Sequence, residues 1–478
     1  MYDICIIGAG VVGTNIAREL SKYKVKVCLV EKEEDVSCGA SKANSGIVHG
    51  GYSDKPGSLK AELCVKGNRM YEQLNKELNF GYRETGSLVL AFRDEDKKTL
   101  EKLYEYGIVN GVGGLAIIDG EKAREMEPYL SKEVTAALYC ANAGVTSPYE
   151  FVIALTENAI TNGVELKLST EVVGIEKIDD YFKIATNKGE IKANYVINAA
   201  GIYSDKISSM MGIEGYHITP RRGQYVLLDK EQNYLANTVI FQVPTELGKG
   251  ILVTTTYHGN LMIGPNAEDI EDKEDVGTTE EVLEKIVALA RISVPDFNMK
   301  KAITSFAGNR PFLDKKDWTI EESMVKGFIN LVGIDSPGLT SSPAIALKVV
   351  EILKQTGVSL ELKSDFNPYR KPIIKVKDKN FKGDINSSIP EEHIICRCEQ
   401  VTEAEIIDAL HRGIPIKSID GIKRRTRASM GKCQGGFCRK RVQAVIAKEL
   451  NIPLEEVTLR GKDSPGLSRA ERMEYTKL

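Results

Sequence analysis

The sequence predicts an α/β and α+β chain built in parts. Three observations carry that reading. A glycine-rich turn lies between two apolar strand runs at the start of the chain. Two later stretches, 80–145 and 210–309, mix strand-like runs (SLVLAF, GQYVLL, GILVTTT, NLMIG) with charged helical segments. These look like pieces of one antiparallel sheet, interrupted by α/β chain. Near the other end four cysteines stand in two tight pairs, CRC at 396–398 and GKCQGGFC at 431–438. At roughly 150 residues per domain the length suggests about two to four domains.

The first segment, YDICIIGAGVVGTNIARELSKYKVKVCLVEK, is the most legible. Residues 2–7 read as a buried parallel strand. Gly8, Gly10 and Gly13 follow in GxGxxG spacing, then an amphipathic helix (Val12, Ile16, Leu20) and a second strand ending on Glu31. Gly8 permits the tight turn, Gly10 lets a pyrophosphate approach the backbone, and Gly13 lets the helix pack on the strand. The helix N-terminus faces the phosphates. Glu31 would accept hydrogen bonds from adenosine ribose hydroxyls. This is a Rossmann-like unit, and the motif by itself leaves NAD and FAD both open.

Composition is ordinary for a globular chain, at 42% hydrophobic and 27% charged. The net charge of −3 gives no general reason to expect nucleic acid or an anionic membrane as a partner. MYDICIIGAG has no basic stretch before an apolar run, and no apolar run reaches the ~18 residues of a spanning helix. A cytoplasmic chain is expected. Thiols stay reduced there, so clustered cysteines read as metal ligands or redox groups.

Cys396, Cys398, Cys433 and Cys438 could hold zinc or an iron–sulfur cluster, although CxC is tight for structural zinc. Between the pairs, VTEAEIIDALHRGI reads as a helix capped by Thr402 with Glu405 three residues on. RKRVQAVIAKEL reads as another. Gly435 and Gly436 would let the backbone wrap a cluster closely. Cys5 and Cys28 fall in predicted strands and read as core. The basic run KRRTR (423–427), with Arg439, Lys440 and Arg441, reads as a counter-charge to a cluster, a docking patch for a redox partner, or a solvated face. Residues 359–392 are polar, lysine-rich and broken by prolines, the look of a linker to a module at 393–452. The tail, 453–478, contains DSPGLS, a chance echo of the earlier DSPGLT.

The GAGVVG, VEK and ASKANSGIVHGG runs together resemble the D-amino-acid-oxidase-like superfamily of FAD enzymes. That resemblance implies FAD contacts from Gly8, Gly10, Val12, Gly13, Glu31 and Lys32, and from Ser41, Asn44, Ser45 and Gly46. It implies that Val173 holds the adenine through its backbone and that Ala200 and Gly201 close a strand on the cofactor. Gly338, Leu339 and Thr340 would lie beside the flavin ring, where a helix N-terminus stabilises negative charge on the reduced ring. The FAD-binding domain would then comprise 1–79, 146–209 and 310–358, with a substrate domain of 80–145 and 210–309 inserted in two pieces. CRCE with GxCQGxFC resembles the 2Fe–2S domain named after bacterioferritin-associated ferredoxin, which implies that all four cysteines ligate the cluster.

SFAGNRPF (305–312) resembles the AGxRP stretch of glycerol-3-phosphate dehydrogenases. This implies that Arg310 grips a phosphate with its forked donors. Arg221 and Arg222 of PRRG are candidates for the same pocket. A base must take the hydroxyl proton as hydride leaves carbon; His49 is the first candidate and His258 the second. The resemblance points to the anaerobic large-subunit type of glycerol-3-phosphate dehydrogenase, passing electrons through FAD and the cluster to a partner or quinone-linked acceptor. HGGYSDKPGSLKAELCVKGN and IGPN also match L-2-hydroxyglutarate oxidases. A 2-hydroxyacid dehydrogenase is therefore the alternative, and an electron-transfer subunit a third reading. The partners implied are a small-molecule substrate and an electron-accepting protein subunit, with no nucleic acid. No membrane span is expected, so attachment to a membrane would run through a partner.

Overall fold

A computed structural model describes residues 1–243, 250–314, 317–375, 377, 380–461 and 464. DSPGLS, apart from Ser464, lies outside the described residues. The first sheet has eight strands. Tyr2–Ile7 lies parallel to Val27–Val30 on one side and to Gly189–Asn198 on the other. Glu165–Lys167 and Phe328–Val332 extend this parallel core outward. Such strands are covered on both faces, which explains the unbroken apolar run at 4–7. Ile4 and Ile6 point to a core shared with the helices Val11–Leu20, Pro148–Thr161 and Gly338–Gln355. Cys5, Ile7, Cys28 and Val30 point to the opposite core with Phe182 and Phe328. Cys5 and Cys28 stand opposite one another in the register, both buried.

The second sheet has nine strands drawn from both inserted stretches. Ser87–Ala91, Leu115–Asp119 and Ala136–Cys140 come from the first; the others lie between Ile218 and Leu313. Its longest pairing runs antiparallel between Ile218–Leu228 and Ala302–Leu313. One pairing departs from the antiparallel expectation: Val239–Gln242 lies parallel to Ser87–Ala91. Here the two inserted pieces meet, and no hairpin constrains the direction of strands that arrive by separate passages.

The C-terminal module consists of a hairpin, Ile394–Cys396 with Val401–Thr402, and the helices Glu403–Leu410, Ile419–Thr426 and Arg439–Leu450. Thr402 and Glu405 form a capping box. The apolar faces of these helices (Ile406, Ile422, Val442, Ile446) belong to the same buried core as the helices of the first sheet. The stretch read as a linker is fastened down. Arg370 pairs with Glu157 at 2.5 Å, and the Asn367 N–H donates to Asn162 Oδ1.

The basic run KRRTR corrects an expectation. Arg424, Arg425 and Arg427 are buried, not solvated and not open to a redox partner. Arg425 makes two 2.8 Å bonds to the two oxygens of Asp35, and Arg424 reaches the same carboxylate at 2.6 Å. Arg427 pairs with Glu399 at 2.9 Å and donates to the Tyr149 hydroxyl. The run therefore seats the cysteine module on the dinucleotide-binding domain. Among the described residues no helix is long and apolar enough to cross a membrane.

Candidate functional site

The glycine turn is built as its chemistry requires. Gly8 has φ +104°, and a β-carbon there would lie 2.5 Å from the Ala199 carbonyl oxygen. A β-carbon on Gly13 would lie 2.0 Å from the Gly8 carbonyl oxygen. Gly10 instead looks into open space, where only the Ser41 hydroxyl comes near, at 3.2 Å. The helix Val11–Leu20 opens with no acidic residue and no side-chain cap, which leaves its positive end facing that space. The Ser41 hydroxyl accepts from the Val11 N–H. Glu31 is half-buried and accepts from the Ala9 and Glu33 N–H groups. Burial pushes its carboxyl above the usual range, partly countered by those two donors.

The other predicted cofactor residues arrive from four directions. Asn44 braces the 40–46 loop by donating to the Ala40 and Ser41 carbonyls and accepting from the Gly46 N–H. Gly46, at φ +67°, presses on the Thr146 carbonyl. Ala200 and Gly201 follow the strand that packs on Gly8. Val173 sits where the ladder slips between Val172 and Gly174, and its side chain is exposed. Gly338, Leu339 and Thr340 open the helix Gly338–Gln355, again without an acidic residue or side-chain cap. The Thr340 hydroxyl accepts from the His49 N–H at 2.9 Å and reaches the Ile47 carbonyl. Lys32 has its ammonium on Glu274 and Glu33, over the Tyr203 ring. The Val12 side chain packs on the edge of the core.

The substrate sheet meets this cleft through one face of the pair Ile218–Leu228/Ala302–Leu313. Tyr225 opposes Phe306, Gly223 opposes Gly308, and Arg221 opposes Arg310. The side chains of these residues share one face. Glycine at the middle pair lets the flavin-side loop approach: a β-carbon on Gly308 would lie 2.1 Å from the Ala43 carbonyl oxygen. Burial holds Tyr225 above its usual pKa, partly countered by the nearby charge of Arg310. Arg310 donates to the carbonyls of Arg221 and Asn266. Its charge therefore rests on carbonyl dipoles, whereas Arg221 is spent on Asp269 (2.6 and 2.9 Å) and Arg222 on Asp275 and Glu268. Of the three arginines, Arg310 is the one with no carboxylate hydrogen-bonded to it among the described residues.

The two histidines lie in different settings. The His49 ring stacks on Phe241 of the substrate sheet, with centroids 5.9 Å apart. His258 bonds Glu150 at 2.5 Å, next to Tyr149, which carries the cysteine module. It lies at the seam where the helix Pro148–Thr161 meets the cysteine module. The residues missed from sequence are Tyr225, Phe241 and Asp35. Their only sequence signal was an apolar or acidic residue in a strand or loop, which is too common to single them out.

The four cysteines stand as two pairs, each drawing one member from each motif. Cys398 and Cys433 sulfurs are 3.7 Å apart. Cys396 and Cys438 act on one another electrostatically, and Cys438 also contacts the Ser429 hydroxyl at 3.2 Å. Cys396 holds the Cys438 thiol below its usual range and is itself pushed up by the same interaction. Backbone N–H groups of Ser429 and Glu399 point at Cys396, and those of Phe437 and Gly435 at Cys433. Among the described residues no three such ligands converge on one metal-ion position. Two thiol pairs, each backed by amide donors, are the donor set of a two-iron centre. Gly435 takes φ +86°, and Gly431, not singled out from sequence, lets Cys398 pass.

Comparison with known proteins agrees with both halves. Residues 3–352 match the family "FAD dependent oxidoreductase", and 394–448 match "BFD-like [2Fe-2S] binding domain". A glycerol 3-phosphate dehydrogenase of Caloramator mitchellensis is 50% identical over 462 residues, 96% of each chain. The structure of dithionite-reduced L-alpha-glycerophosphate oxidase from Mycoplasma pneumoniae with FAD bound superposes with a TM-score of 0.74 at 32% identity. It covers 77% of this chain and 98% of that one. Human mitochondrial L-2-hydroxyglutarate dehydrogenase is 34% identical over 283 residues, 56% of this chain and 61% of its own. The chain belongs to the FAD-dependent oxidoreductase family and carries a BFD-like 2Fe–2S domain behind its flavin-binding fold.

Proposed function

We propose that the protein oxidises sn-glycerol 3-phosphate to dihydroxyacetone phosphate. The observation that carries this reading is Arg310: a guanidinium held by carbonyls on the sheet face that the 40–46 loop meets at Gly308. Its remaining forked donors suit a phosphate. The near full-length likeness to a glycerol 3-phosphate dehydrogenase supports the same substrate.

Gly8, Gly10, Gly13, Glu31 and the 40–46 loop would hold FAD, which supplies a ring that accepts hydride. Arg310 would bind the phosphate and so fix the carbinol carbon. His49 would take the hydroxyl proton; Thr340 holds its backbone and Phe241 its ring. The uncapped start of the helix Gly338–Gln355 would favour negative charge beside it. The four cysteines would hold a 2Fe–2S cluster, which would supply one-electron transfer onward to a protein acceptor, in a reducing cytoplasm where the thiols stay available as ligands.

The test is anaerobic mixing. Glycerol 3-phosphate should bleach the bound flavin and L-2-hydroxyglutarate should not. Bleaching by the second alone would assign a 2-hydroxyacid substrate; bleaching by neither would leave the electron-transfer subunit.

A further inference from the structure

The two cysteine pairs are not equivalent. Cys396 and Cys438 are buried, and the segment leading to Cys438 touches the flavin-binding domain at Tyr149. The Tyr149 hydroxyl lies 3.4 Å from the Met430 sulfur, and Tyr149 follows Pro148, which packs on Gly46. Cys398 and Cys433 lie on the outer side, exposed and half-buried. Beside them Phe437 is 84% exposed, although its N–H donates to Cys433.

Among the described residues the charge around this outer pair is mainly positive, with Glu231 the exposed acid that Lys432 feels. Arg397, Lys432, Arg439, Lys440 and Arg441 are all exposed. The neighbouring acid, Glu399, is turned inward onto Arg427 and Lys230. The helix Arg439–Leu450 opens on Arg-Lys-Arg with no acidic residue in its first turn. Cations at that end oppose the helix dipole and cost local stability. A local rule broken in this way next to an exposed aromatic ring marks a functional surface.

We propose that the outer face, centred on Phe437 and ringed by Arg397, Lys432 and Arg439, docks an acidic one-electron carrier protein. This rests on the proposed electron route through the cluster. Each substrate gives up a hydride and a proton. The two electrons would leave singly through the outer cysteine pair, reducing two carrier molecules. Aromatic anchors with a charged rim are the usual composition of such interfaces.

The test uses the intact holoprotein and two probes, an acidic plant-type ferredoxin and basic cytochrome c. The ferredoxin should bind and the cytochrome should not, and binding should weaken as salt shortens the screening length. Phe437→Ala and Lys432→Glu should each weaken ferredoxin binding by about tenfold with iron and flavin content unchanged. Failure of the ferredoxin to bind, equal binding of cytochrome c, or unchanged binding in both variants would overturn the proposal. Electron paramagnetic resonance after anaerobic substrate addition separates this from the underlying route. A reduced cluster with unaltered binding removes only the docking face, whereas reduced flavin beside an oxidised cluster removes the route itself.

Discussion

Asp35 and Arg425 form a buried two-pronged ion pair, 2.8 Å at each contact, between residues 390 positions apart. Each is about 1% exposed, and Arg424 reaches the same carboxylate. Removing the acid would strand Arg425 and leave Arg424 with Asp420 alone. Asp35→Ala should therefore destabilise the protein by about 3–5 kcal/mol, measured as a lower midpoint of denaturant unfolding. Iron should be lost before flavin, because this pair seats the cysteine module.

The same pair sets an acid limit. Burial pushes Asp35 up, but Arg425 and Arg424 outweigh it and hold its carboxyl below the usual range. A depressed carboxyl contributes stability above its unfolded value of about 3.9. That contribution is lost as pH falls through the lower folded value. Unfolding curves between pH 7 and 3 should show the wild type losing stability below about pH 4, with less loss in Asp35→Asn.

Arg310→Ala should raise KM for glycerol 3-phosphate and lower kcat/KM by about 10–100-fold, the loss of a charged hydrogen-bonding partner. Bound flavin should be unchanged. Arg310→Lys should recover only part of the loss, because an ammonium has no fork. Steady-state kinetics with flavin absorbance as the loading control would show both.

His49→Gln should lower kcat by about 10²–10⁴-fold, the ordinary contribution of a general base. Glutamine keeps a polar side chain beside Phe241 while removing the titrating group. His258→Gln should cost far less, since His258 is engaged with Glu150 at the domain seam. A comparison of substrate-driven flavin bleaching in the two variants decides which histidine is the base.

Gly431→Ala should strip the iron and spare the flavin. Its β-carbon would stand 2.2 Å from the Cys398 β-carbon, inside the contact distance of any two carbon atoms. Iron per flavin measures the outcome. Gly436→Ala should be milder, as its nearest neighbour would be 3.2 Å away.

Local chemistry was legible in the chain itself. Gly8 and Gly13 are where no β-carbon fits, and the motif says so without any tertiary context. The parallel core strands, the helix from Pro148 and the Thr402–Glu405 cap follow from apolar runs, a proline and a capping pattern within a few residues. The cysteine spacing carried its chemistry in the same way.

What the tertiary structure alone decided lies between segments far apart in the chain. KRRTR reads as a counter-charge, docking or solvated run because the acid nearest in sequence, Asp420, reaches only Arg424; Asp35, almost four hundred positions away, holds both Arg424 and Arg425. PRRG and AGNRP hold three arginines that look alike as letters. Only the register of Ile218–Leu228 on Ala302–Leu313, and the acids that reach Arg221 and Arg222, distinguish Arg310. The parallel seam at Val239–Gln242 is of the same kind. The sequence determined what each segment would form, because backbone conformation and apolar patterning act over a few residues. It did not determine which charge would meet which, because an ion pair depends on where two distant segments are brought together, and neither segment encodes the position of the other.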